Sequence, residues 1–160
     1  MRQLLHDVAW GPLDYLVVDL PPGTAEIQQQ LLSLISLSGA IVVVAPQDVA
    51  HLDAKRVLTM LADAQVPVLG GVENMSDLVC PHCGETVEVF PRVRASRSIW
   101  AMGVRELGRV PLDPDVAHAG EVGQPLLVGR PESAPASVFR GITREVVAAL
   151  SASEGDSSQS

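Results

Sequence analysis

Short apolar runs closed by proline or glycine alternate along this chain with stretches whose apolar residues recur every three or four positions. The first pattern predicts buried strands and the second predicts helices laid on a sheet. Residues 14–20, DYLVVDL, are stopped by Pro21, Pro22 and Gly23 and predict a buried strand ending in a tight turn. Residues 25–37 then place Ile27, Leu31, Leu34 and Ile35 on one side of a helix. Residues 40–45 predict a second buried strand, which Pro46 stops. Asp48 is suited to cap a helix reaching about residue 64, with Leu52, Val57, Leu58 and Leu61 facing inward. A third strand follows over 66–72. Residues 76–94, with two cysteines, two prolines and mixed charge, break the alternation and predict an irregular insertion. A short helix over 96–103, a strand over 106–110 and a closing helix over 136–150 complete the pattern, the last marked by Val138, Phe139, Ile142, Val146 and Leu150. Residues 151–160, SASEGDSSQS, predict a disordered polar tail. Helical and strand patterns in alternation are the sequence form of an α/β fold, a mainly parallel sheet flanked by helices.

Composition narrows the classes of function. With 160 residues, 47% of them hydrophobic, one good core is expected, hence one domain over residues 1–150. No apolar run approaches the roughly 20 residues of a membrane span, and no leader pattern opens the chain, so a cytoplasmic protein without a membrane partner is expected. Eleven basic against 19 acidic residues give a net charge of −8, which repels a phosphate backbone, and 3% aromatics leave little to stack bases on. Nucleic acid is therefore not an expected partner.

Two places carry chemistry. Asp19, at the C-terminal end of the first predicted strand, sits where open α/β sheets bind ligands and where such an acid helps to hold magnesium. Gly23 in the turn and Thr24 at the next helix start suit an anion. A strand-ending acid before a proline-rich turn explains these residues equally well. The other place is Cys80-Pro81-His82-Cys83-Gly84, a knuckle in which two thiolates converge on one metal. Two thiolates are half a site, so a cluster needs a second copy of the chain, whereas His82 or Glu85 could complete a mononuclear zinc site. A redox disulfide and a metal-free relic are the remaining readings. His6, His51 and His118 stand outside any ligand-spaced pattern, and surface or capping roles are expected for them.

The blocks DYLVVDLPPGT, PQDVAHLDAKR, GGVENMS, CPHCGE and GRVPLDPDVAHAGEVGQP resemble, in order, those of the Mrp/ApbC family of iron–sulfur cluster carrier ATPases. The resemblance runs from about Leu4 to about Phe139 and implies an incomplete P-loop NTPase fold of the deviant Walker A, MinD/Mrp-like type. It implies a homodimer that carries a [4Fe–4S] cluster between Cys80 and Cys83 of two subunits and passes it to acceptor apoproteins. It further implies Asp19 beside Mg2+, Gly23 and Thr24 near phosphate, Asn74 on the adenine, and Pro111 and Asp113 in the loop beside the base.

Departures from the family pattern set limits. No G-x-x-x-x-G-K-[ST] loop is present. Gly103 and Gly108 have its glycine spacing but are followed by Arg109 and Val110, and Lys55, inside a predicted helix, is the single lysine. Ala25 and Glu26 replace the family's Gly-Asp, and residues 91–98 replace a glycine-rich run. The phosphate-binding N-terminal part is thus expected to be missing, and ATP with Mg2+ is expected only if that part is supplied, a separately encoded P-loop half being one candidate partner. Two other functions compete with the carrier: a zinc-knuckle interaction module, and a partition-type ATPase relative without a cluster.

Overall fold

The computed structural model describes Leu5, residues 7–20 and residues 25–157. The chain divides into two compact units, Met1–Ser38 and Gly39–Ser160. In the first unit α1 spans Ala25–Leu34, and the side chain of Leu31 is buried. The helix ends short of the predicted 25–37. Residues 14–20 differ more from expectation, since no described residue of that segment is in a strand, and Val17 is 89% exposed. Strand propensity expresses the fit of a side chain to a neighbouring ladder, and among the described residues no strand pairs with this segment. The β-branched run is therefore present without the partner that would make it a strand.

The second unit is built on a three-stranded parallel sheet in sequential order: β1 (Ala40–Val44), β2 (Val68–Asn74) and, last in the chain, β5 (Glu106–Val110). The register pairs Val43 with Val72 and Asn74 with Val110. Helix α2 (Asp48–Asp63) makes the first crossover and lays Ala54, Leu58 and Leu61 on Val42 and Val44. Leu52, predicted to face inward, is 48% exposed. Asp48 does not cap: it is the first residue of the helix, Gln47 holds the cap position without a side-chain bond, and the Asp48 carboxylate instead pairs with Arg97 at 2.7 Å. At the other end Gln65 adopts φ +57 to close the helix, with its N–H on the Ala62 carbonyl.

The second crossover has no α-helix. It carries the two-stranded antiparallel hairpin β3 (Leu78–Val79) and β4 (Thr86–Val87), then two 3-10 turns, Ala95–Arg97 and Trp100–Met102. The insertion predicted as irregular thus contains a hairpin, and the helix predicted over 96–103 is two 3-10 turns joined by buried Ser98 and Ile99. These turns fill the same face as α2, with Ile99 fully buried against the Val42–Leu58 cluster and Trp100 packed beside it. After β5 come α3 (Pro114–Glu121) and α4 (Leu126–Gly129), neither anticipated from the sequence, and then α5 (Ala134–Ser157). Val138, Phe139, Ile142 and Val146 of α5 cover Val72, Leu107 and Val110, as their spacing predicted. Residues 151–157 continue this helix, correcting the disordered tail over that stretch. Among the described residues no helix is long and apolar enough to cross a membrane.

The two glycines facing α5 and lying within it have opposite status. A methyl group on Gly108 would stand 2.8 Å from Ile142 Cγ1, whereas one on Gly141 would meet nothing within 4 Å. Gly108→Ala is expected to destabilise the unit by about 1–3 kcal/mol through overpacking. Gly141→Ala is expected to stabilise it by roughly 0.5–1 kcal/mol through helix propensity. Urea unfolding of both variants against the parent checks the pair.

Candidate functional site

The cysteines stand at the tip of the β3–β4 hairpin, and backbone hydrogen bonds close the loop between them. The Cys80 N–H donates to the Glu85 carbonyl at 2.9 Å, and the Gly84 N–H donates to the Cys80 carbonyl at 2.9 Å. Gly84 has φ +74, in the left-handed region that a glycine enters without strain. The residue after the second cysteine is therefore the one that lets the chain turn back. This fold aims the N–H groups of Cys83 and His82 at the Cys80 sulfur. They hold its pKa below the usual thiol value, the Cys83 N–H contributing most, with the Cys83 side chain adding to them and burial opposing. The Cys83 thiol is exposed and points at Glu85 Oε2, 3.8 Å away.

Both thiols are free, and among the described residues no group of three or more His, Cys, Asp or Glu side chains is placed to hold a metal. One chain thus offers two convergent sulfurs, one stabilised as thiolate, at an accessible tip. Neither His82 nor Glu85 joins them in a closed mononuclear set, although Glu85 lies within reach of Cys83.

The hairpin is tied to the sheet on both sides. On the entry side, Arg92 forms a bidentate pair with Asp77 at 2.7 and 2.8 Å and reaches buried Glu73 of β2 at 3.2 Å. The same guanidinium lies 3.5 Å from Glu88, just after β4. Arg92 stays charged, its pKa raised chiefly by the hydrogen bond to Asp77. On the return side, the Val93 N–H donates to the Pro46 carbonyl at 2.8 Å, Arg97 pairs with Asp48, and the Ile99 N–H donates to His51 Nδ1 at 3.2 Å. A cavity of about 540 Å3 opens beside these ties, with Glu73, Arg92, Trp100 and Arg109 in its wall. It includes neither cysteine and none of the residues predicted to bind nucleotide.

The sequence did not mark this cluster of Glu73, Asp77, Glu88 and Arg92 as a site. One signal was available: a lone glutamate inside the apolar strand Val68–Asn74 needs a cation, and Arg92 follows in the insertion.

The residues predicted to bind nucleotide are distributed unevenly. Asn74 ends β2 in register with Val110, so Asn74 and Pro111 share the C-terminal edge of the sheet. Asn74 Oδ1 accepts from the Met75 N–H at 3.0 Å, which fits a turn-forming role as well. Asp113 caps α3, accepting from the Asp115 N–H at 2.8 Å. Asp19 is exposed in the first unit, outside any strand. Gly23 and Thr24 lie outside the described residues, as does His6. Gly108 is within β5 and Gly103 closes a 3-10 turn, so the Gly103–Gly108 spacing does not form a phosphate loop.

A sequential parallel sheet with α5 on one face and α2 on the other, with Asn74 and Pro111 at the C-terminal edge of its strands, is an α/β architecture, and its fold is that of the P-loop NTPase class. Solved structures agree. A nucleotide-binding protein in complex with ADP from Archaeoglobus fulgidus superposes with a TM-score of 0.69 at 33% identity, over 82% of this chain and 53% of that one. The cell division ATPase MinD of Pyrococcus furiosus shares the fold, with a TM-score of 0.65 at 23% identity, over 83% of this chain and 51% of that one.

The chain belongs to the ParA/NUBPL family of iron-transfer P-loop NTPases, whose model matches residues 1–147. It is 43% identical over 151 residues to an iron–sulfur cluster carrier protein of Deinococcus radiodurans, covering 94% of this chain and 43% of that protein. It is 40% identical over 153 residues to the iron–sulfur cluster transfer protein NUBPL of Mus musculus, covering 96% of this chain and 48% of that protein. The chain thus spans less than half the length of these relatives.

His51, predicted to be a surface or capping residue, is fully buried, with its ring edge-on to Trp100 at 6.0 Å between centroids. It accepts the Ile99 N–H and so has to be neutral. Burial is the largest cause that pushes its pKa below 6.5, Lys55 adds to this, and Asp48 opposes. An unfolded histidine binds a proton at higher pH than this one, so the contribution of neutral His51 is present above pH ~6.5 and is lost as pH falls below it. His51→Asn should flatten the stability profile between about pH 7 and pH 5. Denaturant titrations across that range measure the slope.

Proposed function

We propose that this chain is the cluster-holding part of an iron–sulfur cluster carrier. The cargo is a [4Fe–4S] cluster, taken up between the Cys80 and Cys83 pairs of two copies and handed to acceptor apoproteins by exchange of thiolate ligands. One observation carries this reading. The two sulfurs are pre-organised at an exposed hairpin tip, one of them favoured as thiolate by the Cys83 and His82 N–H groups, with no third ligand converging on them among the described residues. A cluster wants four thiolates, and a second copy supplies the missing two. Accessibility suits delivery, because an acceptor's cysteines can reach a cluster held at a tip. The names of the relatives in Deinococcus and mouse support an iron–sulfur cluster as the cargo. A cytoplasmic site of action belongs to the proposal and suits two free thiols, since that compartment keeps cysteines reduced.

Nucleotide enters the proposal only together with a glycine-rich lysine loop, which this sequence lacks. With such a half supplied, Asp19 would stand beside Mg2+, Gly23 and Thr24 near phosphate, and Asn74, Pro111 and Asp113 near the base. The meeting of Asn74 and Pro111 at one sheet edge supports the last part.

Anaerobic reconstitution with iron and sulfide tests the cargo. The expected product is one [4Fe–4S] cluster per two chains, with dimer and cluster appearing together and both lost in Cys80→Ser or Cys83→Ser, while His82→Ala has little effect. Tight uptake of one zinc per monomer with no sulfide would transfer the conclusion to a zinc-knuckle interaction module. For nucleotide, phosphate release by this chain alone is expected at background. Turnover that Asp19→Asn abolishes would overturn that part.

A further inference from the structure

The local geometry of the knuckle does not orient it. The hydrogen bonds that shape it run among Cys80, His82, Cys83, Gly84 and Glu85, and none reaches the sheet. The strands below are two residues each and, among the described residues, pair only with one another. An isolated two-stranded hairpin is marginal at best in water. Its direction relative to the sheet needs further causes. The Ser76 N–H on the Val110 carbonyl and the Leu112 N–H on the Asp77 carbonyl fasten the entry leg, and the Val93 N–H on the Pro46 carbonyl fastens the return arm. One side chain joins the two legs to each other and to β2.

We propose that Arg92 is the positioning residue of the cysteine hairpin: its single guanidinium ties both legs of the hairpin to β2 and so sets the direction in which Cys80 and Cys83 face. Asp77 immediately precedes β3, and Glu88 immediately follows β4. Arg92 holds the first with two bonds at 2.7 and 2.8 Å and lies 3.5 Å from the second, while its third contact is Glu73 at 3.2 Å. Glu73 is 3% exposed and belongs to the central strand, so the clamp is founded on a strand paired on both sides. The Arg92 backbone N–H adds a bond to Glu88 at 3.4 Å.

Arg109 does not duplicate the clamp. Its bonds at 2.8 and 2.9 Å go to Glu106, and it reaches Glu73 only at 3.8 Å. A planar fork with several fixed donors can join three carboxylates at once, whereas a lysine is a point charge that serves one or two. Arginine at position 92 is thus the side chain that serves orientation as well as charge.

This inference rests on the carrier reading for its consequence, because a cluster shared by two copies requires both dithiol tips to face one point. Its own content, an oriented hairpin, is read without any cluster. The test uses Arg92→Lys, which keeps a cation beside buried Glu73, and Glu73→Gln/Arg92→Gln, which removes the clamp without leaving a buried charge unpaired. Hydrogen exchange of residues 78–88 is followed in the apo protein, with β1 and β2 amides as the internal reference. In both variants the hairpin amides are expected to exchange about tenfold faster while the reference amides stay protected. After reconstitution, cluster occupancy is expected to fall several-fold in both, with the knuckle cysteines intact.

Unchanged hairpin exchange in folded variants overturns the proposal. Full recovery of exchange and occupancy by Arg92→Lys also overturns it, since the role would then be charge alone. If the parent protein takes up no cluster while the variants loosen the hairpin, the clamp stands and the carrier reading falls.

Discussion

A carboxylate buried in the central strand has to be neutralised, and the structure of the insertion follows from how this is done. Glu73 is one position from the end of β2 and almost wholly removed from water. A charge in such a place is tolerated only when paired and hydrogen-bonded. The cation comes from Arg92, a residue of the second crossover, so satisfying Glu73 pulls that crossover onto the sheet. Once there, Arg92 also meets Asp77 and Glu88, and the hairpin that carries the cysteines is held by the same group.

Much of the sheet was legible in the sequence because its causes are local. The strand Glu106–Val110 and the apolar faces of α2 and α5 follow from periodicity and from stops such as Pro46. The segment 14–20 was misread for a reason that periodicity does not see. Its residues favour a ladder, but a ladder has two sides, and among the described residues the second is absent. Residues 96–103 failed differently. Ile99 gives its N–H to His51 on another element, and a tertiary bond replaces the regular helical one. Helices α3 and α4 are short, and their starts at Pro114 and after Pro125 are signals that went unused.

At the candidate site, the cysteine pair was legible because C-x-x-C followed by glycine is a local geometry. The chemistry that supports it was not, because Glu73, Asp77 and Arg92 are brought together by folding across 19 positions. His51 was taken for a peripheral residue since nothing near it in sequence is a partner, and its acceptor role is set by an amide 48 positions later. Of the residues expected to bind nucleotide, Asn74 and Pro111 lie at one sheet edge, while Asp19 belongs to the other unit.

The turn between β1 and α2 has a mechanical consequence. Pro46, Asp48 and His51 fall within six consecutive positions, 46–51, and each holds a different point of the arm that returns from the hairpin: Val93, Arg97 and Ile99. Three fastenings along one short stretch remove the freedom to pivot, which a single fastening would leave. The arm is therefore braced against the first turn of α2 at three points, so a displacement of the arm would have to carry that turn with it.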